Sequence, residues 1–380
     1  MAVIKSIALL LDSAPRTWTS QEEIHLRLCL ALKANGIQPV LVYAQSLPPL
    51  LEERLRASGA AIEVISYALG PLHYYRSLGQ LISLYQIEMV HVCFFDYFSL
   101  IPWLARLHSL KFIIFEELNS GMMQARSWRR QLLRLRTFLM ALPMTQLIAI
   151  SHFVKGELVR RGIQQERIVV RHLGVDEERF RPDLDARRHW AANYSIEPNE
   201  LVLSTVTVLR AFKNPDTILR AAALLVARGI PLRLFVAGDG SMLPELKELS
   251  RSLRIEKRVE WLGYCSDRTS LLQASDLFVL ASVGEAFGLV VPEAMACGVP
   301  VVGSRSGAIP EVVVEGQTGL LATPRDEESF AAAFETVARN KILREEMGNK
   351  GRARVLEKFT VDHDIENTLR IYESLWLAKG

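Results

Sequence analysis

Apolar runs alternate with amphipathic stretches along the whole chain, and this alternation predicts buried strands covered by helices. Such runs recur in both halves of the sequence and are separated by polar, Gly-containing or Pro-containing segments. The predicted strands are residues 4–11, 39–44, 62–65, 89–94, 111–115, 147–150, 167–170, 201–208, 232–237, 259–262, 277–280 and 299–302. Because strands and helices alternate throughout, the predicted fold class is α/β with two Rossmann-like domains.

Specific residues mark the ends of two predicted helices. Ser20 with Glu23 three residues later is typical of a capping box, so a helix is predicted from Ser20 to Asn35. Pro292 favours a helix start, because a missing N–H costs nothing in the first turn. Gly298 then ends that second helix, and Glu293 lies in its first turn.

Composition narrows the class of protein. The chain has 380 residues, 49% of them hydrophobic, and a mean hydropathy of +0.15, which suits two domains with sheets buried on both faces. A net charge of +3 gives no indication of nucleic-acid binding. The four cysteines lack metal-ligand spacing, so we expect reduced thiols in a cytoplasmic enzyme. No uncharged apolar segment approaches ~20 residues, so no transmembrane helix is predicted.

The segment 276–324 carries the clearest candidate chemistry. Glu285 and Glu293 stand eight residues apart, at the mouth of a strand, loop, helix and strand. The amides of Phe287, Gly288, Leu289 and Val290 precede the predicted helix, where unpaired N–H groups favour an anion. Gly288 would let a phosphate approach the main chain, and a carboxylate can accept hydrogen bonds from a vicinal diol. For Glu293 the simpler alternative is that it complements the helix dipole.

Two cations follow the predicted strand 201–208. Arg210 and Lys213 precede Asn214-Pro215, where another helix begins, and the pair suits a diphosphate. The turn Gly238-Asp239-Gly240 follows the next strand, and its glycines suit either a donor site or close packing.

The second half of the chain resembles a known family. The segments E-A-F-G-L-V-V-P-E at 285–293, A-M-A-C-G-V-P-V-V at 294–302 and E-G-Q-T-G-L-L at 315–321 resemble the E-x7-E signature of retaining GT-B glycosyltransferases of family four. The resemblance implies two Rossmann-like domains facing across a cleft. It divides the chain into an acceptor domain at 1–185, a nucleotide-sugar domain at 186–358 and a C-terminal helix at 359–380 that returns to the first domain.

The resemblance also assigns roles. Glu285 would orient the donor sugar, Glu293 the ribose, and Lys213 with Arg210 the diphosphate. The amides at 287–290 and Gly238 would line the donor site, and Tyr264 would flank the base. The donor is expected to be a UDP or GDP sugar, with no further cofactor and no required metal. The D-x-D at Asp183 and Asp185 is accordingly assigned to a solvated linker.

The first half departs from the family pattern. Its first loop, S-A-P-R-T-W-T-S at 13–20, lacks the usual paired glycine, and it also lacks the G-x-G-x-x-G of a dehydrogenase. Thr17, Thr19 or Ser20 remain as hydroxyls for a ligand.

The family histidine near the end of the strand 111–115 is replaced by Glu116 and Glu117. Either glutamate could act as general base for the acceptor, with Glu117 the residue chosen here, or both are rim charges. His91 and His152 are the alternatives.

Residues 126–139 predict a basic amphipathic helix. Arginines and apolar residues alternate there at helical spacing: Arg126, Trp128, Arg130, Leu132, Arg134, Leu135, Arg136 and Leu139. Such a helix favours an anionic membrane surface, and hence a peripheral position at the inner face of the membrane. The alternative is an ordinary helix that packs its leucines on the sheet.

Together these features predict a retaining hexosyltransferase that uses a nucleotide-diphosphate sugar and a sugar or lipid-linked acceptor. Its expected role is cell-surface polysaccharide or glycolipid synthesis. The alternatives are a sugar-nucleotide epimerase of the same fold and a non-catalytic partner subunit.

Overall fold

A computed structural model describes residues 4–119, 127–183, 185–265 and 267–377, with the backbone alone for 127–130. The chain forms two compact units. Unit 1 contains the residues up to Gly174 together with those from Val361, and unit 2 spans Val175–Thr360.

Unit 1 is built on a seven-stranded parallel sheet in the order β3-β2-β1-β4-β5-β6-β7. Its strands are β1 (Ser6–Leu11), β2 (Gln38–Tyr43), β3 (Ala61–Val64), β4 (Ile87–Cys93), β5 (Phe112–Glu117), β6 (Gln146–Ala149) and β7 (Ile168–Val170). The central strand β1 is buried along its whole length because helices cover both faces of the sheet. The helices are α1 (Ser20–Ala34), α2 (Pro49–Arg56), α3 (Pro71–Tyr85), α4 (Ile101–Leu107), α5 (Ser127–Ala141), α6 (His152–Arg160) and, from the C-terminal segment, α15 (Val361–Leu377).

Unit 2 repeats this arrangement on a six-stranded parallel sheet, in the order β10-β9-β8-β11-β12-β13. Its strands are β8 (Leu201–Val206), β9 (Leu232–Ala237), β10 (Val259–Gly263), β11 (Leu277–Leu280), β12 (Val301–Ser304) and β13 (Gly319–Ala322). Its helices are α7 (Ala186–Tyr194), α8 (Pro215–Ala227), α9 (Leu243–Ser252), α10 (Arg268–Ala274), α11 (Val290–Ala296), α12 (Ile309–Val312), α13 (Glu327–Arg339) and α14 (Lys341–Lys358).

Both strand orders place a topological switch point at the centre of the sheet. The chain leaves β1 on one side and returns through β4 on the other, and β8 and β11 are related in the same way. Loops diverge at the carboxyl ends of such strand pairs and open a crevice, where ligands of doubly wound sheets bind. The predicted α/β fold with two Rossmann-like domains is therefore confirmed.

The terminal helix α15 packs within unit 1. Val361, Ile365, Ile371 and Tyr372 enter the same apolar core as the residues of β1 and α1. Among the described residues, no helix combines the length and the apolar character needed to cross a membrane.

Three of the local predictions that bear on candidate site residues were wrong. The capping box at α1 is formed by Thr19 and Glu22, one residue earlier than the predicted Ser20 and Glu23. Ser20 is instead the buried first residue of the helix, so Thr19 supplies the N-cap oxygen.

The other two errors concern element boundaries. Strand β5 continues through Glu116 and Glu117, because both pair with β6. Helix α11 begins at Val290 rather than at Pro292. Pro292 is tolerated at the third position, since the first four amides of a helix have no partner inside it.

Candidate functional site

An ion pair joins the carboxyl ends of β8 and β11. Lys213 Nζ donates a hydrogen bond of 2.7 Å to Glu285 Oε2. The two side chains are 17% and 13% exposed, so the pair is shielded from bulk water yet reachable. It lies at the switch point of the unit 2 sheet, where this topology places ligands. The structure thus brings together two residues that are 72 positions apart and that the sequence proposed for one site.

The loop that carries Lys213 is fixed by its neighbour Asn214. Asn214 is buried and has a left-handed backbone with φ of 45°, which asparagine tolerates better than most residues. Its side-chain Nδ2 donates to the carbonyl oxygen of Ala281 at 3.2 Å, and the amide of Val283 donates to the carbonyl oxygen of Phe212 at 3.0 Å. The loops after β8 and β11 are therefore held together by backbone contacts, which fixes the spacing of the ion pair.

Gly288 and Gly307 fit closely around Glu285. Gly288 has φ of 74°, and a Cβ there would stand 3.0 Å from both Glu285 Cγ and Ile309 Cδ1. A Cβ on Gly307 would come within 2.4 Å of the backbone N and O of Glu285. Side chains at these positions would displace the carboxylate, so both glycines are required by close approach as well as by backbone conformation.

Glu293 is held by a residue that the sequence did not single out. Its carboxylate is 1% exposed and accepts two hydrogen bonds from Arg268, at 2.8 Å from Nε and 2.7 Å from Nη2. A bidentate guanidinium pair fixes the carboxylate plane. Each oxygen keeps further acceptor capacity, so the ribose contact predicted for Glu293 stays a prediction. Arg268 starts α10, 25 residues before Glu293, and no local motif connects the two.

The remaining predicted donor-site residues differ in exposure. Arg210 is exposed at the start of the loop that carries Lys213, and Tyr264 is 72% exposed after β10. Phe287 is 1% exposed, with its ring edge against Phe359, so its side chain belongs to the core. Leu289 and Val290 are half-buried at the start of α11. The donor-site roles of these residues stay predictions.

The turn at Gly238 has a packing requirement of its own. A Cβ on Gly238 would lie 1.8 Å from the carbonyl oxygen of Thr207, and one on Gly240 would lie 2.3 Å from that of Leu209. The amide of Leu209 also donates to the carbonyl oxygen of Asp239 at 2.9 Å. The turn therefore supports the start of the loop that leads to Lys213.

Glu116, in unit 1, belongs to a buried ionic network. Arg171 forms an ion pair with it and also contacts Asp364 of α15 at 3.2 Å from Nε. Burial alone would raise the pKa of Glu116, but Arg171 and His91 outweigh that effect and lower it to about 2. His91 is itself buried and shares a hydrogen bond of 2.7 Å between Nδ1 and the hydroxyl of Tyr372. These contacts join β4, β5 and α15, and they give Glu116 and His91 structural partners.

Glu117 has a different environment from its neighbour. Its carboxylate is 3% exposed, lies 3.8 Å from Arg161 Nη1 and accepts a hydrogen bond of 3.0 Å from the amide of Asn119 through Oε1. Within the described residues, Oε2 has no hydrogen-bond partner. Burial raises the pKa of Glu117 to about 7, and the charge of Arg161 offsets only part of that rise. The other alternative, His152, is exposed, and its ring centroid lies 5.9 Å from that of His172.

Two protein-family models match the chain. One, described as Glycosyltransferase Family 4, matches residues 22–179, and the other, Glycosyl transferases group 1, matches residues 186–354. Solved structures share the fold. A HepE protein of Anabaena in complex with UDP and glucose superposes with a TM-score of 0.81, at 19% identity, over 98% of this chain and 100% of that one. Sucrose-phosphate synthase of Thermosynechococcus elongatus superposes with a TM-score of 0.77, at 20% identity, over 99% of this chain and 100% of that one.

Curated relatives match over part of their length. N-acetyl-alpha-D-glucosaminyl L-malate synthase of Bacillus anthracis is 32% identical over 57% of this chain and 62% of its own length. D-inositol 3-phosphate glycosyltransferase of Rhodococcus erythropolis is 36% identical over 56% of this chain and 49% of its own length. The chain thus spans about half to three-fifths of these relatives. With both family models matched in sequence order and a Rossmann-like sheet in each unit, the chain belongs to the group 1 glycosyltransferases.

Proposed function

We propose that this protein is a retaining glycosyltransferase that moves a hexose from a nucleotide-diphosphate sugar to a hydroxyl acceptor. The observation that carries the proposal is the Lys213–Glu285 pair at the carboxyl ends of β8 and β11. It combines a cation for a leaving diphosphate with a carboxylate that can orient sugar hydroxyls. The names of two curated relatives, a glucosaminyl L-malate synthase and a D-inositol 3-phosphate glycosyltransferase, support the same class of reaction.

Charge stabilisation would be the main chemical contribution of unit 2. Breaking the bond between the sugar and the diphosphate leaves negative charge on the departing phosphate. The ammonium of Lys213 is already fixed by Glu285, so little reorganisation is needed when that charge develops. A preorganised donor of this kind is worth ~2.7–4 kcal/mol in other enzymes. Arg210, exposed on the same loop, supplies a second cation.

The donor would lie with its diphosphate near Gly288. The amides of Leu289 and Val290 at the start of α11 and the left-handed turn at Gly288 bring main-chain donors close to Glu285. Glu293, oriented by Arg268, would bind the ribose, with Gly238 and Tyr264 towards the base. We propose a UDP or GDP sugar, and a UDP complex of a protein with this fold favours the first. The cationic side chains take the role of a metal, so we expect transfer without one.

Retention of configuration requires the acceptor to approach from the face that the diphosphate leaves. A retaining glycosidase places two carboxylates ~5–5.5 Å apart to form a covalent intermediate. In the transferase the leaving phosphate would help to deprotonate the acceptor, so no such carboxylate pair is needed. Glu117 is the candidate to assist in unit 1, because a pKa of about 7 suits a general base near neutral pH.

The helix α5 supports a membrane-facing role in glycolipid or cell-surface polysaccharide synthesis. Its inward side chains are small: Thr137 and Ala141 are both fully buried. Leu133 and Met140 are half-buried, and four other large apolar side chains are exposed by 45–59%: Leu132, Leu135, Phe138 and Leu139, with Leu142 next to them at 46%. This exposure supports the membrane-facing alternative over one in which Leu132, Leu135 and Leu139 pack on the sheet. Arg126 and the side chains of Trp128 and Arg130 lie outside the described residues.

An apolar stripe beside arginines suits an anionic lipid surface, where the apolar side chains enter the headgroup region. Flotation with vesicles of anionic lipid at low salt tests this role, with neutral vesicles as the control. We expect binding to the anionic vesicles, and loss of it in Leu135→Ser/Leu139→Ser. If the protein floats with neither type of vesicle, it has no membrane role.

The transferase itself is tested with a panel of UDP, GDP and ADP sugars and hydroxylated acceptors. We expect one nucleotide class to support transfer in the presence of EDTA, with an anomeric configuration by NMR that equals that of the donor. An inverted product would contradict the mechanism. Conversion of the donor sugar to its epimer without acceptor would favour the epimerase, and absence of nucleotide-sugar binding by calorimetry would favour the non-catalytic subunit.

A further inference from the structure

A second cavity lies in unit 2, at the opposite edge of the sheet from Lys213 and Glu285. It has a volume of 540 Å³ and is lined by the segments that enter β8, β9 and β11 and by the junction of α13 and α14. This volume falls in the range of ~300–1,000 Å³ that small-molecule sites occupy. Strand β8, of six residues, separates the two edges by about 20 Å.

Cations outnumber carboxylates around this cavity. Four basic side chains and two acidic ones line it, namely Arg187, Arg339, Lys341, Arg344, Glu200 and Asp276. Apolar wall is supplied by Pro198, Ile230 and Pro231. The cavity therefore combines a positive side with an apolar side.

The two carboxylates already have cationic partners. Glu200 is 3% exposed and pairs with Arg258 at 2.5 Å and with Arg233 at 3.4 Å, neither of which lines the cavity. Asp276 accepts a hydrogen bond of 2.8 Å from the amide of Val202 and lies 3.4 Å from Arg187 Nη2. Their negative charges are thus compensated without Arg339 or Lys341.

Two of the arginines are held in place by main-chain oxygens. Arg187 Nη2 donates to the carbonyl oxygen of Glu200 at 2.8 Å, and Arg344 Nη1 donates to those of Val337 and Ala338 at 3.1 and 3.3 Å. The Arg344 side chain is 17% exposed and its Nε lies 3.9 Å from Asp276 Oδ1, so its guanidinium is held at the wall beside that carboxylate. A guanidinium carries five N–H donors, and these bonds use only part of that capacity.

Arg339 and Lys341 complete the positive side. Arg339 binds Glu335 through Nε at 2.7 Å, which leaves its terminal amino groups to donate elsewhere. Lys341 is 78% exposed and stands 3.7 Å from Glu345. Lys341 also opens α14, an 18-residue helix whose dipole adds partial positive charge at this end.

We propose that this cavity binds a phosphate monoester of about the size of a sugar phosphate. Planar guanidinium groups and one mobile ammonium match the oxygens of a phosphate dianion, and the proline and isoleucine wall accommodates the carbon skeleton. The site is separate from the donor site and does not depend on the glycosyl transfer proposed above.

Isothermal titration with glucose 6-phosphate, at fixed ionic strength, tests the proposal. The variants are Arg339→Ala/Lys341→Ala, the control Lys247→Ala/Arg251→Ala, and the donor-site variant Lys213→Ala. The control pair removes two positive charges from the exposed face of α9 in the same unit. We expect binding by the wild-type protein, weakened about tenfold or more by the first double substitution and unchanged in the other two variants.

Three results would overturn the proposal. One is that the wild-type protein gives no heat of binding up to a millimolar excess of the probe. Another is that both double variants bind the probe equally weakly, because such a loss would depend only on net charge. The third is loss of binding in Lys213→Ala, which would assign the probe to the donor site. Hydrogen exchange gives a readout that is independent of affinity: the probe should slow exchange at residues 341–344 in the wild-type protein.

Discussion

Units 1 and 2 share a strand order but use the carboxyl ends of their central strands differently. Unit 2 places the partly exposed pair of Lys213 and Glu285 there. Unit 1 fills the region of β4 and β5 with an ionic network in which Arg171 and Glu116 are 2% and 3% exposed and which reaches α15. The same topology thus carries a partly exposed ion pair in unit 2 and a buried network that secures a helix in unit 1.

The largest effect should come from breaking the network of unit 1. Arg171→Met would leave Glu116 and Asp364 buried without their cation, which we expect to lower the free energy of unfolding by about 3–5 kcal/mol. Denaturant unfolding measures this loss. Arg160→Met is the control, because its side chain is 59% exposed and its pair with Glu157 contributes ~1 kcal/mol or less. Equal midpoints for the two variants would mean that the network does not stabilise unit 1.

In unit 2 the corresponding substitution should affect catalysis and leave stability nearly unchanged. Lys213→Ala removes a preorganised cation from a partly exposed position, so we expect kcat to fall about 10²–10³-fold. Glu285→Ala should have a comparable effect through loss of sugar orientation. Steady-state kinetics measures the effect on catalysis, and thermal unfolding of the same variants measures the effect on stability. Wild-type turnover in either variant would show that the pair has no role in catalysis.

Glu117 should make the stability of unit 1 depend on pH. Its folded-state pKa of about 7 is above the usual value of 4.5, so the folded protein holds a proton that the unfolded chain releases. The stabilisation is complete below pH ~4.5 and is lost as the pH rises through about 7, by roughly 1–3 kcal/mol.

Glu117→Gln should make the midpoint of unfolding less dependent on pH between pH 5 and pH 8. If Glu117 is also the general base, the wild-type kcat/KM rises through the same pH range, because the base must be unprotonated. A variant with an unchanged pH profile of stability would mean that Glu117 is ionised throughout.

The smallest effect concerns the close fit around Glu285. Gly288→Ala would press on Glu285 Cγ at 3.0 Å, whereas Gly316→Ala has a similar φ of 71° with nothing within 4 Å. Both substitutions carry the cost of a left-handed alanine, roughly 1 kcal/mol. Only Gly288→Ala should also lower kcat/KM, by about tenfold, which is ~1.4 kcal/mol. Equal activities would show that crowding at Glu285 is unimportant.

The sequence predicted what depends on local pattern. The strand and helix alternation, the turn at Gly298 and the residues of the 285–293 segment are all readable within short windows, and the two-sheet architecture follows from them. Asn214, Gly288 and Gly307 stand in loops where backbone conformation or close packing restricts the residue type, so their positions were also informative.

What the sequence could not show depends on partners that are distant along the chain. Arg171 pairs with Glu116, which is 55 positions away in the chain, and with Asp364, which is farther still. Only the folded sheet shows these pairings. The extension of β5 through Glu117 depends on pairing with β6, which no propensity of two adjacent glutamates indicates. The cavity at the other edge of the unit 2 sheet is likewise formed by segments from α7 to α14.

The most direct measurement compares the binding of a nucleoside diphosphate and its monophosphate to the wild-type protein and to Lys213→Ala. Calorimetry is done with whichever of UDP, GDP or ADP binds most tightly. If Lys213 holds the diphosphate, the variant binds the diphosphate at least about tenfold more weakly and the monophosphate almost as well as the wild type. Equal affinity of both proteins for the diphosphate would contradict the account.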